Sequence, residues 1–234
     1  MNLPASPTDA DHGWPSVDPD GQPVRFTHRG PRPRPEEFEP TLEGETVLLS
    51  PMRESHVEAL CRIGLDPAVT RFLPHPISTA EQMAEFVRAA LAAREARTAI
   101  PFVTVVKAAE GSRPTIAGTT RFLSIEAPHR RVEIGGTWIG LAWQRTRVNT
   151  EAKYLMLRHA FEELECLRVE FKTDSLNTRS RAALLRIGAV PEGIFTNHVI
   201  TAEGRIRHSV YFRITSEEWP GVRRHLEELL AARG

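Results

Sequence analysis

The sequence has few cysteines and no excess of charge of either sign. It holds two cysteines, and 30 basic residues balance 30 acidic ones, which gives a formal net charge of zero. Cys61 and Cys166 lie far apart in the chain, so neither a disulfide framework nor a thiolate metal site is expected, and we predict no metal. The balanced charge also argues against a broad nucleic-acid-binding surface, because such a surface requires an excess of basic residues.

Long apolar runs are missing as well. No segment approaches the roughly 20 apolar residues of a membrane-spanning helix, and the start of the chain shows no secretory signal. We therefore expect a cytoplasmic protein without a membrane partner. The sequence also lacks a Gly-x-Gly-x-x-Gly motif and the lysine of a Walker motif, which disfavours a nucleotide-binding α/β domain.

Proline is concentrated at the start of the chain. Nine of the 18 prolines lie in residues 1–40. Such a segment cannot form a helix or a central strand, because proline lacks the backbone N–H that both require. We predict an extended arm over residues 1–40, either unstructured or docked on the domain or on a second subunit of a homodimer, and one domain over residues 41–234.

The remaining chain predicts an α+β fold. Its hydrophobic patterns give the order β-α-α-β-β-β-α-β-α-β-β-α. Three successive strands between residues 100 and 139 have connections of hairpin length and are therefore expected to be antiparallel. The strand–helix–strand that follows makes the sheet mixed. We expect a central sheet of about seven strands, flanked by helices.

One stretch, residues 133–163, combines a strand, a polar loop and a helix. Trp138 and Ile139 have strand character, residues 144–150 are polar, and a helix is expected from about Thr150. A loop of this kind directs unpaired backbone N–H groups and the positive end of a helix dipole at one point. That point is a natural binding site for a phosphate group.

Three segments of the chain resemble the GCN5-related N-acetyltransferases (GNAT), and within them the branch of the ribosomal-protein N-terminal acetyltransferases. They are the loop and helix start from Val148 to Lys153, the segment from Glu170 to Arg181, and the last strand from Tyr211 to Thr215. The resemblance covers residues 41–234. It implies the GNAT fold, acetyl-CoA as cosubstrate, no metal, and direct attack of a primary amine on the acetyl group in a ternary complex.

The resemblance also implies which residues bind acetyl-CoA. The expected cofactor-binding residues are Trp138, Ile139, Gly140 and Leu141 near the thioester, Gln144, Arg145, Thr146, Arg147, Val148, Asn149 and Thr150 at the pyrophosphate, and Asn177, Ser180 and Arg181 across from them. Arg147 and Asn149 stand where the family carries glycines that let the backbone approach phosphate. We expect arginine charge to compensate for those glycines, the alternative being a solvated surface loop.

Candidate catalytic residues are Glu133, Ser180 and His198. Many relatives carry a tyrosine acid at the position of Leu184, and Ser180 is the expected substitute, although it could simply lie in the first turn of a helix. Glu133 and His198 are alternative bases, and either could be structural instead. An α-amine, with a pKa near ~8, needs little help from a base, so a weak base would suit N-terminal or other weakly basic amines.

Two functions remain open from the sequence. The leading hypothesis is an acetyl-CoA-dependent N-acetyltransferase whose acceptor is a protein N-terminus or a small-molecule amine. The alternative is a catalytically weak GNAT-fold module that binds acyl-CoA or a partner. The missing loop glycines and the missing tyrosine motivate the alternative.

Overall fold

The computed structural model describes residues 39–108 and 113–232, so the predicted arm lies almost wholly outside the described residues. The strands are β1 (Leu42–Glu43), β2 (Val47–Pro51), β3 (Ala99–Val106), β4 (Thr115–Glu126), β5 (Arg131–Ile139), β6 (Arg168–Asp174), β7 (Val190–Ile200) and β8 (Ile206–Thr215). The α-helices are α1 (Val57–Gly64), α2 (Pro67–Thr70), α3 (Ala80–Glu95), α4 (Arg147–Arg158), α5 (Thr178–Arg186) and α6 (Trp219–Ala231).

All eight strands form one mixed sheet in the order β1-β2-β3-β4-β5-β6-β8-β7. Neighbouring strands are antiparallel except for β5 and β6, which are parallel. The α+β class and the antiparallel meander are thereby confirmed. The sheet exceeds the predicted seven strands because the short strand β1 pairs with β2.

Each face of the sheet carries its own hydrophobic core. Helices α4 and α6 cover one face, over fully buried side chains such as Phe171 and Phe212. Helices α1 and α3 cover part of the other face, over Met83 and Trp138. Alternate residues of a strand point to opposite faces, so the two cores follow from the strand patterns. Among the described residues, no helix is long and apolar enough to cross a membrane.

Strands β5 and β6 part soon after they meet. They pair over three positions, from Arg131 opposite Arg168 to Glu133 opposite Glu170. Beyond this point β5 stays paired with β4, and β6 stays paired with β8, up to their ends. A cleft therefore opens between the two strands, and the backbone along both of its edges lacks a strand partner on the cleft side.

The polar loop after β5 is shorter than predicted. Helix α4 begins at Arg147 rather than near Thr150, because the Thr146 hydroxyl accepts the backbone N–H of Val148 at 3.3 Å and caps the helix. Asn149 therefore lies within the helix. The residue in the left-handed region is Arg145, whose φ is 61°.

Candidate active site

The end of β5 directs one backbone N–H into the cleft. The N–H of Gly140 donates to the carbonyl oxygen of Ala117 on β4 at 2.8 Å, so it is not free to donate to a thioester carbonyl. Successive N–H groups of an extended strand point in opposite directions, so that of Ile139 faces the cleft. The Gln144 side chain donates to the carbonyl oxygen of Ile139 at 2.8 Å and fixes this strand end.

Several predicted cofactor-binding residues have buried side chains. Trp138, Ile139 and Val148 belong to the two hydrophobic cores and are at most 7% exposed. Only their backbone atoms are available for a cofactor. Leu141, by contrast, is 48% exposed directly after the strand end.

The two loop arginines differ in how their charges are used. Arg147 donates to the Glu45 carboxylate at 2.7 Å, and its Nε lies 3.8 Å from the buried carboxylate of Glu151. Arg145 is exposed and pairs with no carboxylate of the described residues. The charge available at the start of α4 is therefore that of Arg145, whereas the charge of Arg147 is used in contacts with Glu45 and Glu151.

Helix α5 supplies two further arginines that the sequence analysis missed. Arg179 donates to the side-chain oxygen of Gln144, and Arg186 donates to the Thr150 hydroxyl in the first turns of α4. The seven-residue spacing of Arg179 and Arg186 places them on one face of the helix and was the available signal. Both bring positive charge to the same edge of the cleft as the α4 N-terminus.

The start of α5 lies across the cleft from β5. The side-chain oxygen of Asn177 accepts the backbone N–H of Ser180 at 3.0 Å and caps the helix. The Ser180 hydroxyl is half-buried and makes no hydrogen bond within the described part of the chain. Arg181 turns toward the carbonyl oxygen of Ser175 at 3.2 Å.

Two of the three candidate catalytic residues lie in one polar cluster on the sheet face that α1 and α3 partly cover. Glu133 is buried, and its Oε2 lies 3.2 Å from the Nζ of Lys172. The Lys172 ammonium lies 5.8 Å from the ring centroid of Tyr211, and the Tyr211 hydroxyl lies 3.5 Å from the Nε2 of His198. Within the described ranges, no hydrogen bond joins Ser180 to this cluster, which places the candidate acid and the candidate bases in separate groups.

Glu133, Lys172 and Tyr211 of this cluster line a surface cavity of about 430 Å³. Carboxylates slightly outnumber cations along its wall, which also includes the rings of Phe195 and Tyr211. Glu133 lies at the last position where β5 and β6 pair, so the cavity reaches the apex of the cleft. An amine entering from this face would meet a buried carboxylate at that apex.

The pKa of His198 is lower than that of a free histidine, which favours the neutral imidazole. Burial lowers its pKa, and the positive charges of Lys172 and Arg207 lower it further, against an opposing effect of Glu133. Its Nδ1 lies 3.0 Å from the Ser209 hydroxyl. A neutral imidazole can accept a proton, so His198 keeps the chemistry of a base.

The cavity side of the sheet is tied to the loop that follows α2. Arg207 donates to the carbonyl oxygen of Phe72 at 3.3 Å. The backbone N–H of Ala202 donates to the carbonyl oxygen of Pro74 at 3.0 Å. Arg207 also lies 3.9 Å from Asp174, which is fully buried at the end of β6. The turn between β7 and β8 and this loop thus form one connected wall.

A buried lysine on α4 was also missed. Lys153 is 4% exposed, and its Nζ donates to the hydroxyls of Thr137 at 2.8 Å and Thr120 at 3.2 Å. Burial lowers its pKa to about 7.

Within residues 39–108 and 113–232, no group of three or more potential ligand side chains is arranged to hold a metal ion.

Comparisons with known proteins agree with this geometry. The sequence profile of the Acetyltransferase (GNAT) domain matches residues 46–190. YdaF of Bacillus subtilis (strain 168), which bears a provisional name as a ribosomal N-acetyltransferase, is 30% identical over 107 residues, or 46% of this chain and 57% of YdaF. The chain thus matches little more than half the length of that relative.

Solved structures share the fold over most of the chain. A provisionally assigned acetyltransferase from T. thermophilus is 34% identical, with a TM-score of 0.73 over 81% of this chain and 96% of that one. A GCN5-related N-acetyltransferase from Brucella melitensis is 26% identical, with a TM-score of 0.74 over 86% and 88%. The profile match covers more than half of the sequence. The chain therefore belongs to the GNAT family of acetyltransferases, whose members are acyltransferases that use acetyl-CoA.

Proposed function

We propose that the protein transfers the acetyl group of acetyl-CoA to a primary amine, a peptide N-terminus or a small molecule, in a ternary complex. The observation that carries this proposal is the parting of β5 and β6 directly after Glu133. It puts unpaired strand backbone next to a buried carboxylate, so that one side can hold a thioester and the other an amine.

The residues around the cleft suit acetyl-CoA. The N–H of Ile139 can pair with the pantetheine arm or polarise the thioester carbonyl, and one such donor contributes about 3–4 kcal/mol to a transition state. The first turn of α4 offers unpaired N–H groups to the pyrophosphate. Arg145, Arg179 and Arg186 add positive charge nearby.

The chemistry requires a neutral amine and a proton for the departing thiolate. Glu133, at the apex of the cleft, is the proposed base. His198, whose Nε2 lies near the Tyr211 hydroxyl in the same cluster, is the second candidate. The Ser180 hydroxyl is the proposed proton donor, because it has no partner among the described residues. Binding both substrates side by side supplies the alignment.

A peptide N-terminus is the acceptor that we favour. The cavity wall carries four glutamates against three cations, and the buried carboxylate of Glu133 would attract a cationic α-amine. The provisional name of YdaF points in the same direction. An α-amine has a pKa near ~8, so a modest base is sufficient.

Two observations favour the alternative, a binding module with little activity. Lys172 already pairs with Glu133, and Leu184 stands in place of a tyrosine acid. A thiol-release assay over a panel of amines separates the two functions. Turnover of any primary amine supports the transferase, whereas tight acetyl-CoA binding, seen as a raised melting temperature, without turnover supports the module.

The homodimer and the cytoplasmic location remain predictions. Light scattering on the full chain and on a chain lacking residues 1–40 tests whether the arm holds a dimer together. A mass that halves on deletion supports a docked arm, and equal oligomeric states contradict it.

A further inference from the structure

Arg121 projects from the same sheet face as Glu133. On β4, Arg121 lies opposite Gly135, and Leu123 lies opposite Glu133. Directly opposed residues of antiparallel strands share a face, as do residues two apart on one strand. Arg121 therefore lies on the acceptor side of the sheet, between the apex of the cleft and helix α3.

The Arg121 side chain is half-buried and has no counter-charge in the described residues. Its central carbon lies 4.6 Å from the ring centroid of Phe86 on α3, and burial lowers the pKa of Arg121 with no compensating carboxylate. On the same face, Lys172 pairs with Glu133, and Arg168 pairs with Glu170. An arginine has five N–H donors, and those of Arg121 make no hydrogen bond within the described residues, so they are available to an oxygen of an acceptor.

Two glycines let both charged side chains pack directly against the backbone of β5. A Cβ at Gly136 would lie 2.4 Å from the Nε of Arg121, and a Cβ at Gly135 would lie 2.8 Å from the Oε1 of Glu133. The register of β4 and β5 shifts at this position, and Gly136 has a φ of +57°. The carboxylate and the guanidinium thus lie against neighbouring positions of β5, with the Leu123 side chain beside Gly135.

We propose that Glu133 and Arg121 bind the two ends of one acceptor, Glu133 its amine and Arg121 an oxygen on the carbon next to that amine. The acceptor class is an α-amino acyl compound, which is the chemistry shared by a free α-amino acid and a peptide N-terminus. The assignment rests on the proposed transferase function and narrows its substrate. Arg121 is a specificity residue, and its planar guanidinium suits a carboxylate or carbonyl oxygen.

Three probes separate the groups that Arg121 would bind. Alanine carries a carboxylate next to its amine, alaninamide carries an uncharged carbonyl as a peptide does, and isopropylamine carries neither. Release of CoA is measured with each probe for the wild type, for Arg121→Met and Arg121→Lys, and for the control Arg88→Met. Arg88 is an exposed residue of α3 that pairs with Glu85.

Arg121→Met should raise KM about 10-fold to about 100-fold for whichever α-amino acyl probe the wild type uses, as expected for a lost charge-assisted hydrogen bond. The KM for isopropylamine should not change. For the α-amino acyl probe, KM should rise less in Arg121→Lys than in Arg121→Met. Preference for alanine identifies free amino acids, and preference for alaninamide identifies peptide N-termini. An equal rise in KM with all three probes, or no rise with any of them, overturns the assignment.

The two proposals can fail separately. If none of the amines causes the wild type to release CoA, the transferase proposal fails. Calorimetric binding of alanine and alaninamide in the presence of CoA then decides the role of Arg121. Binding that Arg121→Met abolishes supports it, and equal or absent binding in both proteins overturns it. The melting-temperature shift with acetyl-CoA shows that each variant is folded.

Discussion

The ammonium of Lys172 lies 3.2 Å from the carboxylate of Glu133, beside the point where β5 and β6 part. The carboxylate that we propose as base is thus buried and already paired with a cation. A buried carboxylate requires such a partner, because an uncompensated buried charge is costly. An incoming amine would have to share or replace the interaction with Lys172.

Glu133→Gln removes the carboxylate and keeps the side-chain shape. We expect kcat to fall about 100-fold at neutral pH, the lower range for loss of a general base. The KM for acetyl-CoA should not change, because Glu133 lies on the acceptor face. The loss should shrink as the pH rises toward the pKa of the acceptor amine, near ~8 for an α-amine, since more of the amine is then neutral.

Initial rates as a function of pH measure this effect. Glu126→Gln is a matched control, because Glu126 lines the same cavity but lies 3.9 Å from its partner Arg131 and is more exposed. Near-wild-type rates for Glu133→Gln, or an equal loss in both variants, would contradict the role of Glu133.

Lys172→Met should raise the pKa of His198. Lys172 is one of the positive charges that lower this pKa, after the larger effect of burial. Its removal also leaves the Glu133 charge less compensated, which acts in the same direction. Titration of the imidazole resonances by NMR measures the change. Arg131 is not among the groups that shift the pKa of His198, so Arg131→Met should leave the titration unchanged. A lower pKa of His198 in Lys172→Met would rule out this electrostatic account.

Asn177 combines a capping role with a proposed cofactor contact, and two variants separate them. Asn177→Ala removes the oxygen that accepts the N–H of Ser180 and should cost about 1 kcal/mol of unfolding free energy. Asn177→Asp keeps a capping oxygen and should retain stability. Both lose the amide N–H₂, so both should bind acetyl-CoA more weakly. Urea unfolding and calorimetry measure the two effects, and undiminished acetyl-CoA affinity in both variants would restrict Asn177 to capping.

Arg145 adopts a left-handed conformation that favours glycine. Arg145→Gly should raise the unfolding free energy by about 1 kcal/mol relative to Arg145→Ala, because alanine retains the strain. Both variants lose the charge and should weaken acetyl-CoA binding equally. Equal stability of the two variants would show that the conformation carries no strain, and unchanged affinity would show that the charge does not contact phosphate.

Lys153 should make stability depend on pH. Its pKa is about 7 in the folded protein against an ordinary value of 10.5, so between these values the unfolded chain binds a proton that the folded chain does not. The free energy of unfolding therefore rises with pH through this window, by at most about 1.4 kcal/mol per pH unit. Lys153→Met should lack this rise and be more stable than the wild type below pH ~7.

Denaturant unfolding of both proteins on either side of pH ~7 measures the difference. The advantage of the Lys153→Met variant should shrink as pH rises above the folded pKa. A constant difference between the two proteins would mean that Lys153 titrates normally.

Local features of the fold could be predicted from the sequence, because nearby residues determine them. Asn177 and Gly188 mark the two ends of α5, since a side-chain cap and a left-handed C-terminal glycine depend on local geometry. The predicted start of α4 near Thr150 is wrong because apolar periodicity does not mark the polar first turn of the helix. The cap is instead Thr146, and the strained position is Arg145.

Contacts that depend on strand register could not be predicted. Glu133 and Lys172 are 39 residues apart and meet because β5 and β6 pair at one particular register before they part. Neither hydrophobic periodicity nor the family resemblance specifies that register or the length of the pairing. The same holds for Arg121, whose position beside Gly136 depends on the shift between β4 and β5.

Amide hydrogen exchange with and without acetyl-CoA tests the cleft most directly. The account predicts that acetyl-CoA slows exchange at the N–H of Ile139 and in the first turn of α4, while the N–H of Gly140, already bonded to Ala117, changes little. Binding of acetyl-CoA with no protection at Ile139 or at the start of α4 would contradict the claim that the parted strands β5 and β6 form the cofactor site.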